Sequence, residues 1–210
     1  MAINWITSFF KPKKPQNASP SILENAFMHV LKHSETFGLN PNDFNYFNKV
    51  HEILDQLHNT EPFPGNVEIQ EDSLGQKRYY IHPGEQNAKG IFIALDASGA
   101  PKTLFAPKDQ YQYFITRPEK LSDEPLKNSL CRVCAWPFDA EVWGEGVYPT
   151  YLICPSCGCE AGNEDYTLEG IRIYRQQWIE HGMKWWYRSK KPPKFWNPKK
   201  QLKNLPPEFV

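Results

Sequence analysis

The chain has 210 residues, zero formal net charge, 40% apolar and 14% aromatic residues. That size and apolar content allow a buried core in one large or two small domains and exclude a disordered chain. A mean hydropathy of −0.63 and the lack of a long apolar run speak against a membrane-spanning helix.

The opening, MAINWITSFFKPKK, places its lysines after the apolar residues. A secretory signal has the opposite order, so the expected location is the cytoplasm. Residues 1–20 end in KPKKPQNASP and read as a flexible arm. Charge is unevenly placed along the chain. Residues 184–210 hold eight Lys/Arg and one acid, Glu208, which leaves sixteen basic and twenty-three acidic residues ahead of them, a net of −7. An acidic body repels polyanions and suits a basic protein partner.

A helix is predicted from about Ile22, capped by Ser19 or Ser21, with Ala26/Phe27 and Val30/Leu31 on its apolar face and Gly38 as its stop. A second follows Pro41, with Asn42 as cap and Phe44, Phe47, Val50, Leu54 and Leu57 as its stripe, and ends at Pro62/Pro64/Gly65. The short turn between them predicts a helical hairpin. Short β-branched or aromatic runs then follow at Val67–Asp72, Gln76–Ile81, Gly90–Leu95, Lys102–Phe105 and Gln110–Thr116. Turn residues at Ser73-Leu74-Gly75, Pro83-Gly84 and Asp96–Gly99 separate them, so an antiparallel meander of four or five strands is expected. Arg117–Asn128 reads as a polar connector. The domain reading is an arm at 1–20, an α+β domain at 21–125 and a cysteine-rich module at 126–210.

Two C-x-x-C pairs, Cys131/Cys134 and Cys154/Cys157, are separated by nineteen residues. Sulfurs so spaced on two tight turns can complete one tetrahedron, and this pattern predicts a zinc ion held by all four. Four thiolates close the site, so the zinc is expected to be structural. Trp143–Gly146 as a hairpin tip and Tyr148–Ile153 as a strand complete a zinc-ribbon pattern. Cys159 reads as a packed thiol. Cys154-Pro-Ser-Cys157 also has the form of a redox pair, but a second pair stands at zinc distance and no helix former follows directly. His33-Ser34-Glu35 supplies H-x-E, yet Leu130 and Ile153 stand where a zinc deaminase has proline, so that reading fails. His29 and His33 are four apart with no third ligand in sequence reach, and read as helix-surface residues. No P-loop, dinucleotide fingerprint or nucleophile elbow is present, so no catalysis is expected.

Thr167–His181 is predicted as a helix with Asp165 or Thr167 as its cap, Leu168, Ile171, Tyr174 and Trp178 on one face and Gly182 as its stop. The remaining tail is proline-rich, and Trp185, Trp186, Tyr187, Phe195 and Trp196 are too many rings to leave in water. It is expected to wrap along the body. Its lysines interleaved with aromatic rings also admit a nucleic-acid reading.

From Leu130 to about Leu205, the pieces CRVC, ICPSCGCEAGNED, YRQQWIEHGMKWW and WNPKKQLKNL resemble an uncharacterised bacterial cysteine-rich family of CPCC type. Arg132 and Ala135 depart from the C-P-x-C-G form of its knuckles. The resemblance implies no catalytic residue. Small proteins of this type are similar to immunity proteins of secreted or polymorphic toxin systems, which implies a protein toxin as partner. The combined expectation is an α+β, zinc-stabilised, non-enzymatic bacterial binding protein, with a zinc-ribbon nucleic-acid-binding or regulatory protein as the alternative.

Overall fold

A computed structural model describes residues 22–40, 45–59, 66–72, 75–83, 89–107, 111–115, 128–144 and 147–210. The predicted arm at 1–20, the caps Ser19, Ser21 and Asn42, Phe44, the stop at Pro62/Pro64/Gly65 and the connector up to Lys127 lie outside them.

The architecture is α+β. Helix α1 (Ile22–His33) runs into a 3₁₀ turn, Ser34–Phe37, and stops at Gly38. Gly38 takes φ of 67° and donates its N–H to the Glu35 carbonyl, a left-handed closure that glycine adopts without steric cost. Helix α2 (Asn45–Asn59) pairs with α1 and buries Tyr46, Val50, Ile53, Leu54 and Leu57 on one stripe.

Four strands follow as an antiparallel meander: β1 (Val67–Glu71), β2 (Lys77–Ile81), β3 (Ile91–Leu95) and β4 (Pro101–Phe105), in sheet order β1-β2-β3-β4. Alternate residues divide between two cores. Tyr79, Ile93, Leu95 and Leu104 join α1 and α2 in one, whereas Tyr80, Phe92, Ala94 and Phe105 join Tyr113, Phe114 and Tyr151 in the other. Covering both faces explains the near-continuous apolar run of β3. Strand β4 lies at the sheet edge. The Tyr46 hydroxyl both donates to the Leu104 carbonyl (2.6 Å) and accepts from the Leu104 N–H (3.1 Å), so helix α2 satisfies backbone groups that an edge leaves open.

The run predicted as a fifth strand is a helix instead, α3 (Tyr111–Ile115). Its aromatics fit either period, and packing decides between them. Helical spacing brings Tyr111 and Phe114 against Tyr80, with ring centroids 5.4 and 5.7 Å away, while Tyr113 meets Phe92 edge-on at 4.9 Å.

The C-terminal module contains little regular structure. Strands β5 (Trp143–Gly144) and β6 (Tyr148–Pro149) form a two-residue hairpin, and the predicted strand to Ile153 continues only as one isolated bridge from Ile153 to Glu160. Helix α4 (Leu168–Glu180) is capped by Thr167, whose side chain accepts from the Gly170 N–H, and Gly182 follows it at φ of 81°. Ile171 and Trp178 are buried on its inner face. The tail wraps as expected, with one short helix, α5 (Pro198–Leu202). Trp185 stacks edge-on to Trp136 and to Trp196, at 5.2 Å in both cases, and Tyr187 and Phe209 are buried. Phe195 is the exception. It stays 88% exposed, at φ of 70°.

Candidate metal centre and an adjoining buried network

Each C-x-x-C pair folds into the same turn. The N–H of Ala135 donates to the Cys131 carbonyl and that of Gly158 to the Cys154 carbonyl, both at 2.8 Å. Cys131 and Cys154 in turn donate to Trp136 and Cys159, and the bridges Leu130–Pro137 and Ile153–Glu160 close the two loops alike. Ala135 and Gly158 occupy the same left-handed position, at φ of 58° and 81°. The first knuckle therefore adopts the geometry of the second despite alanine in place of glycine. At Gly158 the glycine is needed twice over, because an added Cβ would lie 2.4 Å from the Trp186 ring.

All four sulfurs converge, each buried, with the ligating atoms within 4.8 Å of one another. Cys131 and Cys157 are 3.7 Å apart and Cys134 and Cys154 are 3.6 Å apart. These distances exceed a disulfide bond and match the edge of about 3.8 Å that bonds of about 2.3 Å impose on a sulfur tetrahedron. The donor set and spacing are those of a metal site. Charge supports that fit. Burial raises Cys134, Cys154 and Cys157. It acts on Cys131 as well, but hydrogen bonds from the neighbouring thiols outweigh it there and bring that thiol well below its usual range. The three raised thiols favour the neutral form, so their joint ionisation in so buried a place takes a cation among the sulfurs, as metal binding would supply. Cys159 is buried outside this group, its Sγ 3.8 Å from the Glu160 carbonyl.

The tail and α4 hold the knuckles through backbone carbonyls. Arg175 donates to the carbonyls of Val133 (2.7 Å), Arg132 (3.0 Å) and Phe209 (2.6 Å), and Gln201 donates to that of Cys134 (2.8 Å). Trp186 and Tyr187 donate their N–H groups to Ser156 and Pro155. Arg132, which departs from the C-P-x-C-G form, lies 3.6 Å over the Trp143 ring and is 1% exposed. Burial pushes the nearby Asp165 carboxyl up to about 7, against the opposing pull of Arg132.

A second cluster is absent from the sequence reading. His29 and His33 are buried, 3% and 5% exposed, and both face Glu160, which is fully buried. This corrects their reading as surface residues. They lie one turn apart on the face of α1 that docks onto the cysteine module, which a single helix's sequence does not disclose. The His33 Nε2 donates to Glu160 Oε2 at 2.6 Å, Thr103 donates to Glu160 Oε1 at 2.8 Å, and His29 Nδ1 stands 3.7 Å from Oε1. Lys32 donates to Glu164 (2.8 Å) and to the Gly158 carbonyl (2.7 Å) and lies 3.8 Å from Glu160. Burial pushes His29 down to about 4, with Glu160 acting against it. Burial would raise Glu160, yet His33, His29 and Lys32 hold its carboxyl well below the usual range. No sequence motif links residues 127 positions apart, as His33 and Glu160 are.

Beside this cluster a recess of about 620 Å³ is walled by Phe105, Tyr113, Tyr166 and Tyr174, with Glu164 and Glu169 among its lining. His82 contacts Glu68 at 2.6 Å near the surface, and His181 lies against the Gln177 carbonyl at the end of α4. No helix among the described residues is long and apolar enough to cross a membrane. The chain matches no protein-family model and no curated protein.

Proposed function

We propose that this protein is a non-enzymatic bacterial binding protein, an immunity protein that neutralises a cognate secreted or polymorphic toxin by direct contact in the cytoplasm. In this reading Cys131, Cys134, Cys154 and Cys157 hold one structural zinc. The observation that carries it is the closed, buried four-sulfur centre. It supports a clamp role for the four paired cysteines, since an ion held by all four would keep no position for water or substrate. The resemblance of residues 130–205 to CPCC-type proteins belongs with this reading.

The partner is a basic protein. Ahead of Lys184 the chain is net −7, and an excess of that sign favours association with a basic surface. The nucleic-acid alternative is weaker, because Trp185 and Trp196 are engaged with each other and with the knuckles, which leaves Phe195 as the tail's freely exposed ring.

The test is co-expression with the product of a neighbouring toxin-like gene. Rescue of growth and a stable complex between the purified proteins are expected. Failure of both rescue and complex formation would overturn the reading. Salt-sensitive RNA or DNA binding that disappears when Lys190, Lys191, Lys199 and Lys200 are neutralised would favour the alternative.

A further inference from the structure

We infer that His29 Nδ1, His33 Nε2 and the Glu160 carboxylate form a second binding site, for a divalent first-row metal ion, with zinc the expected occupant. This inference is independent of the proposed toxin partner. The three donors come from α1 and from the residue that closes the second knuckle, and their ligand atoms lie within 4.8 Å of one another, all buried.

The hydrogen bonds around His29 point to a ligand. Its Nε2 lies 3.0 Å from the Tyr151 carbonyl, which can only accept, so that nitrogen carries the hydrogen. A neutral ring then presents a bare lone pair at Nδ1. That lone pair faces Glu160 Oε1 at 3.7 Å, a second acceptor. The Thr103 hydroxyl, near both, donates to Oε1 at 2.8 Å and is 3.4 Å from Nδ1. Two acceptors converging in a buried space repel unless a cation lies between them. A histidine anchored by its far N–H to a backbone carbonyl, beside a carboxylate oriented by a hydroxyl, is also how metal-binding sites fix their ligands from behind.

Lys32 does not fill this role. Its short contacts are to Glu164 and the Gly158 carbonyl, and Glu160 is 3.8 Å away. Lys32 is held most closely by Glu164 and reaches Glu160 only at Oε2, 3.8 Å away, so it matches the Glu160 charge in part, and Oε1 faces His29. Donor distances suit the ion with one adjustment. Bonds of about 2.0–2.2 Å separate tetrahedral N and O donors by about 3.4 Å, close to the 3.7 Å between His29 and Glu160. The 2.6 Å His33–Glu160 hydrogen bond must open as the metal replaces its hydrogen. A neutral His33 ring keeps that hydrogen by carrying it on Nδ1, and binding weakens in acid, where protons compete for the same donor atoms. Two imidazoles and one carboxylate select a borderline ion such as zinc over calcium or magnesium.

The experiment uses the full-length reduced protein, equilibrated with excess zinc and then desalted. Elemental analysis is expected to find two zinc ions per chain, and absorption at the zinc edge to show sulfur together with nitrogen or oxygen scatterers. One ion per chain with a sulfur-only shell would overturn the inference and leave a hydrogen-bonded charge network. Glu160→Gln is expected to reduce the count from two to one while retaining the sulfur shell, and two ions in that variant would also overturn it. Should Glu160→Gln fail to fold, the unmodified protein's count and spectrum decide the question.

Discussion

The region before Ile115 and the region after Asn128 solve the same problem by different means. Over its described residues the first is built from repeating elements, with β1–β4 paired in one sheet and α1 and α2 packed on it, burying alternate or every third and fourth residue. Its backbone groups satisfy one another in ladders, and its side chains supply mainly apolar area. The second has two-residue strands and single bridges, so its carbonyls are met instead by side chains such as Arg175 and Gln201. A chain that forgoes regular ladders needs another source of cohesion, and here it is the sulfur centre ringed by tryptophans. The two regions are joined through α1, which completes the helical core on one side and presents His29, Lys32 and His33 to the knuckle on the other.

Removing the clamp should separate the regions most sharply. Cys154→Ser is expected to release the metal and unfold the module, because structural zinc contributes about 10–16 kcal/mol to such folds. Metal content, loss of tryptophan near-ultraviolet dichroism and hydrogen exchange read this outcome. Protection at Ile93 and Leu104 should survive, and its loss in step with the module would make the two regions one cooperative unit. The converse change is Ile93→Ala in the fully buried centre of β3, expected to cost about 2–5 kcal/mol. Metal stoichiometry should remain unchanged, since Ile93 belongs to the core shared with α2.

The junction between the regions should be sensitive to acid. His29 is pushed down to about 4 from 6.5, so the unfolded chain binds more protons than the folded one between those values. Its contribution is fully present above pH 6.5 and is lost as the pH falls toward 4, up to about 3 kcal/mol. Glu160, also held low, acts in the same direction below its ordinary 4.5. Acid also strips metal from the cysteines, so the informative quantity is the difference between two melting curves. Over pH 6.5 to 4 the protein should lose more thermal stability than His29→Gln does, and equal losses would contradict the assignment. The smallest effect is expected at Thr167→Ala, which removes the cap of α4 for about 1 kcal/mol. That corresponds to about 2–4 °C in Tm.

Features set by neighbouring residues were legible in the sequence. The ends of α1 and α4 follow from Gly38 and Thr167, and the four strands from short apolar runs between turn residues. The wrapping tail followed from the number of its rings, although Phe195, which the turn at φ of 70° leaves in solvent, departs from that expectation. Residues 111–115 were not legible, because a five-residue aromatic run fits both periods and only its contacts with Tyr80 and Phe92 select the helix.

The sequence by itself determined the four-sulfur donor set, since two residues between cysteines on a tight turn aim both sulfurs at one point whatever surrounds them. Only the tertiary structure decided that the turns meet with sulfurs 3.6–3.7 Å apart and that an alanine can replace the glycine of one of them. It alone brought His29 and His33 to Glu160. Spacing within a turn is local geometry that a short motif encodes. A buried carboxylate's partners arrive from a helix more than a hundred residues away, and are chosen by which faces pack together.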